Sequence, residues 1–110
     1  MSVHDPVIER GMALLDASAP GWEWRVNLDT LDLSSCTLCV VGQLYAGDYS
    51  GGLRALGEED GSWIVPREVG FALSDGHHAM TYGGLTTAWK RAIRARRRAQ
   101  VEARAWEGQR

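Results

Sequence analysis

Cysteines, prolines and long apolar runs are all scarce in this chain of 110 residues. The two cysteines lie three positions apart, which excludes the disulfide framework of a small secreted domain. No run approaches the ~18 apolar residues that a membrane-spanning helix requires. Residues 1–15 contain no basic start followed by an unbroken apolar stretch, so they do not predict a signal peptide. These features predict a cytoplasmic, reduced protein that does not associate with a membrane.

Apolar residues are nevertheless numerous enough for a folded domain. Hydrophobic residues make up 45% of the chain, and five of them are tryptophans, which excludes a disordered tail. A chain of this length matches the usual size of one domain and can bury a core without covalent staples.

The charge is unevenly distributed along the sequence. Residues 85–110 carry eight basic and two acidic side chains, a net charge of +6, whereas the rest of the chain carries -8. Such asymmetry predicts either a cationic arm that meets an acidic partner or one that folds back onto its own acidic body.

The first helix is predicted from its start signal and its period. Asp5 can cap a helix whose first residue is Pro6, because proline has no N–H to leave unpaired there. Apolar residues then recur at helical spacing at Ile8, Met12 and Leu15. The Ser-Ala-Pro-Gly sequence at residues 18–21 predicts the end of this helix.

The strongest helix pattern lies near the C-terminus. Its stripe recurs at steps of four and three, at Leu85, Trp89, Ala92, Arg96, Ala99, Ala103 and Trp106. Beyond Ile93 the stripe contains mainly arginine and alanine, which are too polar or too small for a core. We therefore predict a compact helical domain over residues 1–93 and a basic helical extension over residues 94–110.

A central helix is predicted over residues 36–46, which contain only two polar side chains and would be apolar on nearly every face. Ser34 or Ser35 can cap it. A strand over residues 37–41 is the competing interpretation, because short apolar runs do not establish their period. The cap favours the helix, which would bury both cysteines.

The remaining segments are shorter. Residues 22–28 fit either a strand or a short helix, residues 47–52 predict a turn, and residues 53–56 predict one or two helical turns closed by Gly57. The fold class predicted is mainly α: a small single-domain bundle of three to four helices. It would include a short irregular or two-stranded β segment over residues 63–73 and a basic C-terminal helix.

Three segments resemble small uncharacterised actinobacterial and actinophage proteins. They are Ser-Ser-Cys-x-x-Cys-Val-x-Gly-Gln-Leu at residues 34–44, Gly-Phe at residues 70–71, and Tyr-x-x-Leu-Thr-x-Ala-Trp at residues 82–89. The resemblance implies an accessory protein of a phage or mobile element. It implies no catalytic residue.

The two cysteines, Cys36 and Cys39, form the one recognisable chemical motif. On a helix they would supply two of the four ligands of a zinc ion, with others from His4, His77, His78 or a second subunit. A redox interpretation places Cys36 at a helix N-terminus and makes Cys39 the resolving thiol. Packing of both as small hydrophobic residues is the interpretation we favour, so no cofactor is predicted and zinc is the alternative.

Two sets of side chains are candidates for binding. Basic residues that would neutralise phosphates are Lys90, Arg91, Arg94, Arg96, Arg97 and Arg98. Such a cluster is more often a solvated face, and the acidic body would repel nucleic acid. Aromatic residues that would form either a protein-binding patch or part of the core are Tyr45, Tyr49, Trp63 and Tyr82.

The function predicted from these observations is that of a non-enzymatic accessory protein that binds an unidentified protein partner. One alternative is a nucleic-acid-binding regulatory module that uses the C-terminal helix. Another is a zinc or thiol-redox protein centred on Cys36 and Cys39. A homo-oligomer is left open.

Overall fold

The computed structural model describes residues 6–61, 63–72 and 81–108, which form five α-helices and one 3-10 helix. The helices are α1 Pro6–Ser18, α2 Trp22–Arg25, α3 Val40–Leu44, α4 Tyr49–Asp60 and α5 Tyr82–Gly108, with the 3-10 helix at Pro66–Glu68. The mainly α prediction is confirmed, although the described residues contain more helices than expected. They contain no strand, because residues 63–65 are irregular and lead directly into the 3-10 helix.

Helix α1 follows the prediction in both its bounds and its buried face. It begins at Pro6, and the predicted cap Asp5 lies outside the described residues. The buried side chains are Ile8, Met12 and Leu15. Gly11 lies on the same face, where a Cβ atom would collide with the carbonyl oxygen of Val69. Glycine therefore allows the segment after the 3-10 helix to approach α1 closely.

The central helix is much shorter than predicted. Neither Ser34 nor Ser35 caps α3, which spans only Val40–Leu44 and has Cys39 at its N-cap. Ser35 instead caps a single turn: its Oγ accepts a hydrogen bond from the Leu38 N–H at 3.1 Å, and its carbonyl accepts one from the Cys39 N–H at 3.0 Å. The chain then becomes extended at Cys39, whose ψ is 175°, and the Leu38 carbonyl accepts from the Asp32 N–H, so this turn does not continue into α3. Helix α3 is nevertheless buried, as expected of the core segment.

The segments whose secondary structure the sequence left ambiguous or short contain helices α2 and α4. The helical interpretation of residues 22–28 holds for α2, after which the chain turns. Helix α4 is longer than the predicted turns, because Asp48 caps it by accepting a hydrogen bond from the Gly51 N–H at 2.9 Å. Gly52 lies inside α4 where a Cβ atom would crowd Val41, so the glycine that predicted a break instead permits close packing. The helix ends at Gly61, whose φ is 80°.

Three aromatic rings form the centre of the core. Trp22 and Trp89 pack edge to face with their ring centroids 6.1 Å apart, and Phe71 stacks on Trp89 at 5.8 Å. The indole Nε1 of Trp89 donates to the Gly70 carbonyl at 2.6 Å, so its polar atom is satisfied although the ring is buried. These contacts hold α2, α5 and the segment after the 3-10 helix together.

Helix α5 is continuous across the predicted boundary at residues 93–94. Its buried residues are Leu85, Trp89, Ala92 and Ile93, as the stripe predicted. The expectation that it leaves the body beyond Ile93 is wrong for Arg96, Arg97 and Gln100, which contact α1 and α2. The side chains of residues 101–105 are exposed. The division into two domains stays a prediction.

Candidate functional site

Trp63 is 95% exposed, between the end of α4 and the 3-10 helix. A groove of about 670 Å³ separates it from α4 and is lined by Ser50, Leu53, Arg54, Gly57, Glu58 and Ile64. A second groove, of about 510 Å³, lies against α1, and its lining includes Arg10, Ala13, Leu14, Ala17, Ser18 and Glu68. Trp63 lines both. We call Trp63 and these two grooves the Trp63 surface.

The lining of the Trp63 surface combines apolar and small residues with charged ones. Leu53 and Ile64 also pack against the core, which fixes the groove floor. Arg10 donates from Nε to the Glu68 carbonyl at 3.1 Å and so joins α1 to the 3-10 helix along the second groove. An apolar centre with a polar rim is typical of protein interfaces.

The other predicted aromatic residues do not join this surface. Tyr45 and Tyr49 are half-buried against the core, and Tyr82 is 37% exposed at the start of α5. Burial raises the pKa of Tyr49 to about 12, with smaller contributions from nearby Cys39 and Cys36. No tyrosine lines either groove beside Trp63.

The two cysteines occupy different environments. Cys39 is 2% exposed, as predicted for a packed thiol, whereas Cys36 is exposed in the turn before α3, so its predicted burial is wrong. The residue at the helix N-terminus is Cys39, whose Sγ accepts a hydrogen bond from the Gly42 N–H at 3.2 Å. This reverses the roles in the redox interpretation. Burial raises the pKa of the Cys39 thiol, and the Gly42 N–H opposes that rise only in part.

The turn from Cys36 to Cys39, before α3, is held in place by hydrogen bonds from Gln43. Its Oε1 accepts from the Asn27 N–H at 2.6 Å, and its Nε2 donates to the carbonyls of Asn27 and Leu38 at 3.1 and 2.9 Å. A Cβ atom on Gly42 would collide with the Cys36 carbonyl. The turn is therefore packed tightly against α3.

The zinc alternative has two candidate ligands in the described residues, Cys36 and Cys39. Within residues 6–61, 63–72 and 81–108, no group of three or more His, Cys, Asp or Glu side chains is placed to hold a metal ion. The histidines proposed to complete the site, His4, His77 and His78, lie outside those residues. Zinc binding therefore stays a prediction.

The six basic candidates divide into two sets. Arg96 pairs with Asp16 at 2.7 Å, and Arg97 donates to the carbonyls of Glu23 and Val26 at 2.5 and 2.7 Å. The Arg97 guanidinium also lies 5.4 Å from the centroid of the Trp24 ring. The candidates whose side chains make no hydrogen bond or ion pair within the described chain are Lys90, Arg91, Arg94 and Arg98.

Asp16 is the acidic partner at this contact. Partial burial alone would raise its pKa, but hydrogen bonds from Arg96 and Trp22 and the Arg96 charge outweigh that effect, so its pKa is lowered from 3.8. The carboxylate thus joins α1, α2 and α5.

Sequence reasoning missed several residues that position these surfaces. The Trp24 indole N–H donates to Gln100 at 2.5 Å, and the Thr86 hydroxyl accepts from the Leu33 N–H at 2.9 Å. These contacts span 76 and 53 residues of sequence, so no local pattern could signal them. The grooves beside Trp63 exist only once α1 and α4 have packed against residues 63–69.

Comparisons with protein-family models, curated proteins and solved structures found no match. Among the described residues, no helix combines the length and apolar character needed to cross a membrane. The fold itself defines a small, mainly helical domain. Its function must be argued from its surfaces.

Proposed function

We propose that this chain is a non-enzymatic accessory protein, of phage or mobile-element origin and acting in the cytoplasm, that binds a partner protein through the Trp63 surface. The observation that carries the proposal is the 95% exposure of Trp63 between two grooves. The resemblance of residues 34–44 and 82–89 to actinophage proteins supports the proposed origin.

An exposed tryptophan suits binding better than folding. Trp63 adds little burial to the folded chain, whereas Trp22 and Trp89 are fully buried and supply the core. Tryptophan is enriched among interface residues whose truncation costs about 2 kcal/mol or more of binding free energy. Burial of one indole removes roughly 150 to 250 Å² from water, more than most side chains.

The grooves indicate the chemistry of the partner. Both are open, and Leu14, Leu53 and Ile64 give them apolar walls. Ala13 and Ala17 are small enough to leave room for side chains from outside. The rim carries both signs of charge, Arg10 and Glu68 beside α1 and Arg54 and Glu58 on α4. These features fit a protein segment that places apolar side chains on both sides of Trp63 within a polar margin.

Affinity capture with matched variants tests the proposal. The immobilised protein, W63A and V101A would be incubated with an actinobacterial lysate. Val101 is the control because it is 54% exposed on α5, away from both grooves. We expect a partner protein to be retained by the natural sequence and by V101A and lost from W63A. Identical capture by all three proteins would contradict the proposal.

A variant that fills the second groove tests the proposal independently of Trp63. Ala17 is exposed on α1 and lines the second groove, so A17R should obstruct that groove while keeping the helix. We expect A17R to weaken capture of the same partner although Trp63 is intact. Full retention by A17R would show that the second groove takes no part.

Self-association is the competing use of this surface. Sedimentation of the natural sequence and W63A over a range of concentrations distinguishes the two uses. A dimer that W63A abolishes would assign the surface to a second copy of the chain and contradict the proposal of a different partner. We expect both proteins to sediment as monomers.

A further inference from the structure

The outward face of α5 carries a row of unpaired cations. Arg91, Arg94 and Arg98 are exposed and follow one another at steps of three and four residues, which places them on one side of the helix. Lys90 lies beside this row and is half-buried. We call these four residues the outer basic row. None of their side chains makes a hydrogen bond or ion pair within the described part of the chain.

The acidic groups that contact α5 lie on its other side. Asp16 binds Arg96, and the Glu23 carboxylate accepts a hydrogen bond from Gln100 at 2.5 Å. The inward arginines Arg96 and Arg97 are therefore committed to α1 and α2. In the described structure, two carboxylates of the body, those of Asp16 and Glu23, meet the inner face of α5, and none pairs with the outer basic row.

We propose that the outer basic row binds the phosphate backbone of nucleic acid without reading its sequence. This inference goes beyond the proposed function and rests on a different surface, since none of the four residues lines a groove beside Trp63. Arginine carries its donors in a planar fork that matches phosphate oxygens, and three of the four residues are arginines.

The dimensions of the helix suit a polyanion. From Lys90 to Arg98 the row spans eight residue steps, or about 12 Å at 1.5 Å per residue. A DNA duplex carries a charge about every 1.7 Å of its axis, so several phosphates lie within reach of the row. An α-helix fits the major groove, which is about 12 Å wide.

The test measures binding of the full chain to a short fluorescent duplex of mixed sequence over a range of salt concentrations. If three or four phosphates are neutralised, log K should fall against log salt with a slope of about -3. R94A/R98A should reduce that slope by about 2 and weaken binding at low salt at least about tenfold. R94K/R98K keeps the charge and should retain most of the binding.

The matched control is R54A/R67A, which changes the net charge equally but removes exposed arginines outside α5. It should bind like the natural sequence. W63A should also bind duplex normally, so failure here is distinguishable from failure of the protein-binding proposal.

Two outcomes would overturn the inference. One is no duplex binding at about 50 mM salt, where electrostatic binding is strong. The other is that R54A/R67A weakens binding as much as R94A/R98A, because the effect would then follow net charge alone. Binding to phosphatidylserine vesicles without binding to duplex would likewise overturn it and assign the row to an anionic membrane surface.

Discussion

The α2–α5 interface and the Trp63 surface both depend on tryptophan, but they use it in opposite ways. Trp22 and Trp89 are fully buried between α2 and α5, whereas Trp63 is 95% exposed. Two neighbouring arginines show the same contrast, because Arg97 binds backbone carbonyls of the body and Arg98 makes no such bond within the described chain. The role of a side chain is thus set by the side of the fold on which it lies.

We therefore expect stability and recognition to be separable in this molecule. Residues on the inner side should affect unfolding when changed, and residues on the outer side should affect binding alone. The first three of the following predictions compare an inner residue with an outer residue of the same type, and the fourth concerns an ion pair at the inner face of α5.

The largest difference is expected between W89A and W63A. Truncation of Trp89 removes a ring that stacks on Phe71 and loses the hydrogen bond to Gly70, so the free energy of unfolding should fall by about 3 to 5 kcal/mol. W63A should stay within about 0.5 kcal/mol of the natural sequence. Urea denaturation followed by circular dichroism measures both. A loss of several kcal/mol in W63A would show that Trp63 also stabilises the fold and would contradict the separation of stability from recognition.

The arginine pair should differ by less. R97A loses two hydrogen bonds to carbonyls and the contact with Trp24, which should lower the free energy of unfolding by about 1 to 3 kcal/mol. R97K should recover only part of that loss, because an ammonium lacks the planar fork. R98A is the control and should leave the unfolding midpoint in urea unchanged. Equal midpoints for R97A and R98A would show that the Arg97 contacts do not stabilise the packing of α5 against α2.

The cysteines should differ in reactivity. Cys36 is exposed and Cys39 is buried with a raised pKa, so a thiol reagent near neutral pH should label Cys36 rapidly and Cys39 only when the protein unfolds. Mass spectrometry of native and urea-treated protein counts the labels. C36S should abolish the rapid reaction and leave the slow one. Rapid double labelling of the native protein would contradict the burial of Cys39.

The smallest effect is expected from Asp16. Its pKa lies below 3.8 in the folded chain, so its pairing with Arg96 stabilises the fold above about pH 3.8 and is lost as pH falls through the lowered value. The partly exposed pair should contribute under about 1 kcal/mol. The difference in unfolding free energy between the natural sequence and D16N should shrink as the solution is acidified. A difference that stays constant down to pH 3 would contradict the pairing.

The sequence predicted those parts of the fold whose signals are periodic. Helix α1 and the first half of α5 were predicted because their buried residues recur at helical spacing. The long central helix was not correctly predicted, because the turn that Ser35 caps is interrupted at Cys39, where the backbone is extended before α3 begins. Helix α4 was underestimated because Gly51 and Gly52 signal a break, whereas here they allow a cap and a close contact with α3.

The candidate site was predicted only as a set of residue types. Trp63 was one of four aromatic candidates, and composition could not separate it from Tyr45 and Tyr49, which pack against the core. The six basic candidates were likewise indistinguishable until α5 was placed beside Asp16 and Glu23. These distinctions depend on contacts between distant segments, which a local pattern does not encode.

The most direct test of the protein-binding proposal is a titration of the purified captured partner into the natural sequence and into W63A by calorimetry, alongside thermal unfolding of each protein. The account predicts that W63A binds at least about 30-fold more weakly, equivalent to about 2 kcal/mol, with an unchanged Tm. Equal dissociation constants would contradict it and remove the Trp63 surface as the site of recognition.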